Sequence, residues 1–319
     1  MTPQQPGHWL RNRADRRTLC FVVAHFSIVV TLWVLNPSGW LALAGAIALA
    51  VSSYQCAVIT HNVVHCPLFK KRRLNRMFQV VLTHTYGHPV STFVPGHNLS
   101  HHKYVETARD VMRTTKVRFR FNILNMLAFY PTVAPAILKN DGLFAKGMKS
   151  RNPRWYRQLM LETGVLVVTS IVLLAIDPLR FVIFWFLPHM FGGWGIISTN
   201  LLQHDGCDVS HPVNHSRNFT GRFFNWFFVN NGFHGIHHEQ PTLHWSLARE
   251  AHDRLIKPEI HPNLDQPSMF LYLVKAYVYP GRRCMYDGSP YREQPKVEDI
   301  SWIPKPSDPM PDISLGAEA

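Results

Sequence analysis

Nineteen of the 319 residues are histidine, and several fall into short spaced groups. His97-Asn98-Leu99-Ser100-His101-His102 carries an i, i+4 pair with a third ring beside it. On a helix the i, i+4 pair shares one face and aims at one site, and His102 reaches a neighbouring one. His234-Gly235-Ile236-His237-His238 repeats the logic with an i, i+3 pair and a doublet. His61-Asn62-Val63-Val64-His65 adds another i, i+4 pair. A zinc protease needs Glu directly after the first histidine of such a pair; here that residue is Asn62. A fourth element, Asn200-Leu201-Leu202-Gln203-His204, sets an amide and a ring one turn apart. Nine imidazoles are too many for one tetrahedral zinc ion and suit two metals with open positions. Imidazole serves iron, copper, zinc and nickel, so ligand type alone does not choose the metal.

Other residues compete for these roles. His84/His88 and His211/His215 share the H-x3-H spacing. Pro89 follows His88 and interrupts a helix there, whereas His61/His65 end a clear apolar run, which favours the latter. His25 and His189 fall inside apolar runs and read as hydrogen-bonded packing residues. Glu106, Asp110 and Asp205 lie near the boxes as acceptors that orient imidazoles, or as solvated loop residues. Cys66 and Cys207 each lie near a box residue, but thiolate ligation is the weaker reading. The five cysteines form no C-x-x-C, so a zinc ribbon, an iron–sulfur cluster and a disulfide framework are all poorly supported. Reduced thiols fit best.

The elements that must position the boxes are apolar. A mean hydropathy of −0.07 hides how the apolar residues bunch. From Leu19 to Thr60, 42 residues contain no Asp, Glu, Lys or Arg. Asn36-Pro37-Ser38-Gly39 splits this block into spans near 19–35 and 40–60. A second block splits at Asp177-Pro178 into spans near 159–176 and 179–202. Each approaches the roughly 20 residues that cross a bilayer. Gly192, Gly193 and Gly195 permit close helix packing in the last span. Phe78–Val94 and Phe121–Leu138 are apolar but interrupted, and read as re-entrant or interfacial helices.

Charge sets the orientation. Between Cys66 and Gln158 seventeen Lys/Arg face three acids, while the two short turns carry no Lys or Arg. Positive-inside reasoning puts both termini and the middle segment in the cytosol, with the boxes under one leaflet. The expected fold is an all-α membrane protein: four transmembrane helices as two hairpins, with a cytosolic helical cap carrying the histidine boxes. Its parts are a cytosolic N-terminal segment 1–18, a membrane domain 19–280 and a polar, partly disordered tail 281–319. The net charge of +13 suits anionic membrane surfaces, and Lys70-Lys71-Arg72-Arg73 reads as a topology determinant. Nucleic-acid binding would leave the boxes unexplained. A metal transporter would place carboxylates and ligands near mid-span rather than at one face.

H-x3-H, H-x3-H-H and H-x2-H-H, in this order around two hydrophobic hairpins, resemble the integral-membrane fatty acid desaturase family. Membrane hydroxylases, ketolases and decarboxylases share the broad pattern. The resemblance covers about Leu19 to Ala251. It implies two iron ions and molecular oxygen as co-substrate, beside an acyl chain. It carries onto His61 and His65 as the first box, His97, His101 and His102 as the second, and His234, His237 and His238 as the third. His204 is similar to the family's extra ligand after the last span, and Asn200 matches an Asn that ligates iron or holds a water on it. Pro241 also fits. The implied reaction puts a double bond into an acyl-lipid or acyl-thioester; hydroxylation, ketone formation or decarboxylation is the alternative, and membrane metal binding or transport the remote one. An unactivated methylene C–H bond is beyond acid–base side chains and needs a metal–oxygen oxidant. No nicotinamide, flavin or haem motif appears, so a separate donor, a ferredoxin or cytochrome b5-like protein, is expected to bring electrons to the basic cytosolic face. Membrane lipids are the other expected partners, without nucleic acid, in a multi-pass protein of the bacterial inner membrane.

Overall fold

The computed structural model describes residues 9–292, 297–305 and 308. The six long helices are, in chain order, α1 (Asp15–Leu35), α2 (Gly39–His65), α3 (Arg72–Tyr86), α4 (Asn122–Arg151), α5 (Pro153–Ile176) and α6 (Pro178–His204), with short helical turns between α3 and α4. Four of them, α1, α2, α5 and α6, are long and apolar enough to cross a membrane. The chain divides into two compact units. One holds the residues up to Ser91 with Gln158–Gly192, the other Thr92–Arg157 with Gly193 onward.

The first unit is built on the expected hairpins. Asn36 takes a left-handed conformation (φ 45°) and stops α1, a role Asn tolerates better than most residues. The second turn is set by Asp177, whose carboxylate accepts from the N–H groups of Leu179 and Arg180 at 3.1 and 3.0 Å. That is an N-cap, with Pro178 in the first turn where its missing N–H costs nothing. Arg180 donates to the Trp33 carbonyl at 2.8 Å and pairs with Asp177, joining the two hairpin tips. Val34, Leu35, Trp40 and Leu43 on one hairpin, and Val168, Ile171 and Ile176 on the other, are exposed. A contiguous apolar exterior of this kind is stable only under lipid. Gly192 lies against α2: a Cβ there would sit 2.5 Å from Ser53 Oγ, so close packing does use this glycine.

The helices run further than the apolar blocks. α2 continues to His65 and α6 to His204, so both end in box residues. His25 Nδ1 lies 2.8 Å from Ser52 Oγ, and His189 Nε2 donates to the His84 carbonyl at 3.1 Å. Both are packing contacts within the first unit, as the sequence suggests.

The second unit differs from expectation at one helix. The segment 121–138 is not interrupted: α4 runs through Pro131 and Pro135 for 30 residues. Its face of Met126, Phe129 and Val133 packs with Leu201, Leu202, Phe219 and Tyr277 in one buried cluster. That burial outweighs two missing helix N–H groups. Short elements complete the unit: β1 (Asn218–Phe219), α7 (Arg222–Phe227), α8 (His234–Glu239), α9 (Ala248–Leu255), β2 (Asp265–Gln266) and α10 (Met269–Leu273). β1 and β2 pair in parallel. A second cluster, including Phe233, Ile236, Ala251, Ile256 and Leu264, lies under α8 and fixes it. The polar tail enters the same unit, with bridges between Phe121 and Arg282 and between Cys284 and Pro290. The expected terminal segments extend into residues 1–8, 293–296, 306–307 and 309–319, which lie outside the described residues.

Candidate metal centre

In the first unit, His61 and His65 sit on the last turn of α2, both buried, with ring centroids 5.6 Å apart. The one-turn spacing puts both rings on one face of the helix.

In the second unit the second box is not an ordinary helix. Val94–His101 forms a wide π-type turn, and the His102 N–H bonds back five residues to the His97 carbonyl. Widening the turn changes which rings share a direction, because residues five apart then stack as residues four apart do in an α-helix. His97 and His102 therefore meet, Nε2 to Nε2, at 3.1 Å. This corrects the expectation that His97 and His101 aim at one site. His101 turns instead to a separate group with His204, His234 and His238, in which one ligand nitrogen per residue lies within 4.8 Å of every other.

The third box supplies both groups. On α8, His234 and His238 are four apart and His237 lies between them. His237 Nε2 is 3.0 Å from His102 Nε2. His234, His238 and His204 form a triangle of Nε2 atoms at 2.8, 3.1 and 3.1 Å. Three ring nitrogens this close cannot satisfy one another with protons, since each neutral ring offers one N–H. They are the arrangement a shared cation leaves. Ligands about 2.1 Å from an ion lie about 3.0 Å apart at right angles and about 3.4 Å apart in a tetrahedron. The observed separations match the right-angled case, which leaves positions open.

Hydrogen bonds on the far side of the rings fix the tautomers. His204 Nδ1 donates to the His215 carbonyl at 3.1 Å; a carbonyl only accepts, so Nε2 carries the lone pair. His101 Nδ1 donates to Asp110 Oδ2 at 2.9 Å, and its buried Nε2 has no hydrogen-bond partner. An orphaned acceptor of this kind is what a metal ligand needs. Burial would raise the Asp110 pKa, but the His101 ring and the N–H groups of Glu106 and Met112 outweigh it and hold the carboxyl below its usual range. Burial, and then the rings of His102, His234, His204 and His101, push the His238 pKa well down, so this ligand is neutral. The donor set thus fits metal ions.

Asn200 is buried near these groups' helix end, and its Nδ2 donates to the Met112 carbonyl at 3.0 Å. Asp110 is the acceptor that orients an imidazole, but Glu106 and Asp205 are not. Glu106 accepts from Thr114 N and Oγ1 at 2.7 and 2.8 Å. Asp205 pairs with Arg283, which also donates to the Thr114 carbonyl. The rival histidines are engaged elsewhere. His84 binds the Val80 carbonyl and Thr169 Oγ1, and His211 Nδ1 accepts from Val213 and Asn214. Burial pushes the Cys66 thiol up to about 11 and the Cys207 thiol up to about 12, so neither is a thiolate.

Two asparagines escaped the sequence reading. Asn218 Oδ1 accepts from Gly235 N at 2.8 Å. Asn225 accepts from Gly232 N at 3.1 Å and donates to the carbonyls of Phe219 and Gly221 at 2.7 and 3.0 Å. Together they hold the loop that leads into the third box. The only local signal was Asn-rich sequence around Gly232, where a Cβ would lie 2.1 Å from the Phe219 carbonyl oxygen.

The model of the fatty acid desaturase family matches residues 38–266. The chain is also similar to an alkane 1-monooxygenase of Ectopseudomonas oleovorans, at 24% identity over 254 residues. That likeness covers 73% of this chain and 59% of the relative, so this chain spans less than two thirds of the relative's length. The family match runs from the second membrane helix through every histidine group described above; this chain belongs to the fatty acid desaturase family.

Proposed function

We propose that the protein is a membrane-bound, oxygen-dependent di-iron desaturase that inserts a double bond into the acyl chain of a lipid or thioester. The observation that carries this reading is the paired histidine clusters, His97/His102/His237 and His101/His204/His234/His238, within a chain of this family. The family is a di-iron, oxygen-dependent class. Each cluster would hold one iron. His61, His65 and Asn200 complete the proposed ligand set on the strength of their positions in the family's motifs.

When bound, the two irons supply an oxygen-derived oxidant strong enough to take hydrogen from an unactivated methylene. The chain's own residues hold neutral imidazoles in fixed tautomers, with Asp110 and the His215 carbonyl as the acceptors behind them. His97, His101, His204 and His234 are buried, with His102, His237 and His238 half-buried, which limits the access of bulk water to the reacting region. Two hydrogens leave the acyl chain, and two electrons from a separate donor, with two protons from solvent, complete the conversion of oxygen to two waters. A ferredoxin or cytochrome b5-like protein fits that role, approaching the cytosolic face that carries the boxes and both termini. A bacterial inner membrane is the proposed location.

The alkane monooxygenase likeness favours a second reading, hydroxylation of a hydrocarbon or acyl chain. The first C–H step is common to both. Mass spectrometry of total lipids from a bacterial host separates them, with His101→Ala as the inactive control. Loss of two hydrogens from acyl chains supports the desaturase; gain of one oxygen supports the hydroxylase. Lipids identical in the two cultures, from cells whose protein is iron-loaded and supplied with donor, contradict both.

A further inference from the structure

The loop carrying Asp110 is overlaid by the C-terminal stretch 297–305. Asp299 N–H donates to the Ala108 carbonyl at 2.9 Å, and its carboxylate accepts from Arg109 Nε at 2.8 Å. Glu298 Oε1 lies 2.8 Å from Lys116 Nζ. Trp302 is buried, and Arg151 donates to the Lys305 carbonyl at 2.9 Å, which anchors the far end. Arg113 and Lys139 also act on Glu298. Two acids are therefore seated among four basic side chains, Arg109, Arg113, Lys116 and Lys139.

The seat lies directly behind the metal centre. The Arg109 side chain is 45% exposed, yet the next residue, Asp110, is fully buried and accepts the Nδ1–H of His101. A group bound at Arg109 is one residue and one hydrogen bond from that ligand. The Arg109–Asp299 pair is exposed on both sides, and such pairs hold weakly and are screened by salt; Lys116 is covered, with the exposed Glu298 carboxylate over it. A partner presenting several carboxylates can displace them.

We propose that this basic loop is the docking seat for an acidic electron-donor protein, and that Glu298 and Asp299 are a built-in stand-in which the donor's carboxylates displace. The proposal rests on the di-iron reading above. At the seat a reduced donor gives up one electron and is oxidised, while one iron is reduced; two such events serve each turnover. The His101–Asp110 hydrogen bond and the Arg109–Asp110 backbone provide the route.

The test uses the full-length, iron-loaded protein in detergent, without oxygen. The probes are a reduced acidic [2Fe–2S] ferredoxin and, in parallel, a reduced acidic cytochrome b5. Stopped-flow absorbance reads the second-order rate of donor oxidation, with dithionite as a reductant that needs no docking. E298Q/D299N is expected to raise the rate about tenfold at low salt for at least one donor, and R109Q/K116Q to lower it by a similar factor. High salt should erase both effects, and dithionite rates should stay the same. Equal rates in E298Q/D299N and wild type with both donors overturn the proposal, as does a lower rate in E298Q/D299N. A protein that binds no iron refutes the di-iron reading instead. Amide exchange then still decides the seat: oxidised donor must speed exchange across 297–305, and unchanged exchange overturns the proposal.

Discussion

Asp110 accepts the Nδ1–H of His101 across 2.9 Å, and neither side chain is exposed to solvent. The carboxylate fixes the tautomer that leaves Nε2 free, and it raises the basicity of that nitrogen. Removing the charge while keeping the shape should therefore weaken one metal site. Asp110→Asn is expected to lower metal affinity at the His101 group by 10–100-fold. Iron titration of the purified protein checks it, and an unchanged affinity contradicts the role.

The partition of the histidines predicts which substitutions spare the metal. His84 and His211 have the same H-x3-H spacing as box residues but bind other partners. His84→Leu and His211→Leu should keep wild-type iron content, while His97→Ala and His238→Ala lose metal. Iron measured by plasma emission on all four variants decides. Loss of metal in His84→Leu would mean that the first box had been placed wrongly.

The loop leading into the third box tolerates no extra atom at Gly232. A Cβ on Gly232 would meet the Phe219 carbonyl oxygen at 2.1 Å and Asn225 Oδ1 at 2.7 Å. Gly232→Ala should cost about 1–3 kcal/mol by overpacking. Asn225→Leu removes the side-chain partners of the Gly232 N–H and the Phe219 carbonyl, at about 1–3 kcal/mol for each buried group, while the Gly221 carbonyl keeps the backbone N–H of residue 225. Thermal unfolding in detergent should show both as clear falls in Tm. A Gly232→Ala protein as stable as wild type contradicts the contact.

Glu106 gives the protein a pH dependence. Burial, and then the charge of Asp110, push its carboxyl up to about 8. The folded state therefore binds this proton more tightly than the unfolded chain, whose carboxyl titrates near 4.5. The stabilisation is fully present below pH 4.5 and is lost as pH rises through about 8. Tm should fall across that window in wild type and fall less in Glu106→Gln. Parallel profiles for the two proteins contradict the assignment.

The histidine pattern was legible because its spacing is local. His97, His101 and His102, or His234, His237 and His238, sit within one helical turn or two of each other, and periodicity alone brings them to one side. Their division between two clusters was not legible, because it depends on the π-type turn at Val94–His101. Nothing in Val-Pro-Gly-His-Asn-Leu-Ser-His announces a five-residue bond. The helix spanning Pro131 and Pro135 was hidden for a related reason: burial of Phe129 and Val133 overrides a local breaker. Choosing Asp110 over Glu106 as the imidazole's acceptor required tertiary geometry, since both acids lie within ten residues of His101. The membrane helices were legible from the uncharged runs, but their ends were not. Polar box residues extend α2 and α6 beyond the apolar blocks because those side chains have partners inside the fold.

Metal content bears most directly on the central claim. Protein expressed with ample iron and purified with its lipids should carry about two irons per chain, and His102→Ala and His238→Ala should each retain about one. Wild-type protein that holds a single metal, that prefers zinc when iron is offered in excess, or that keeps two irons in both variants would contradict it.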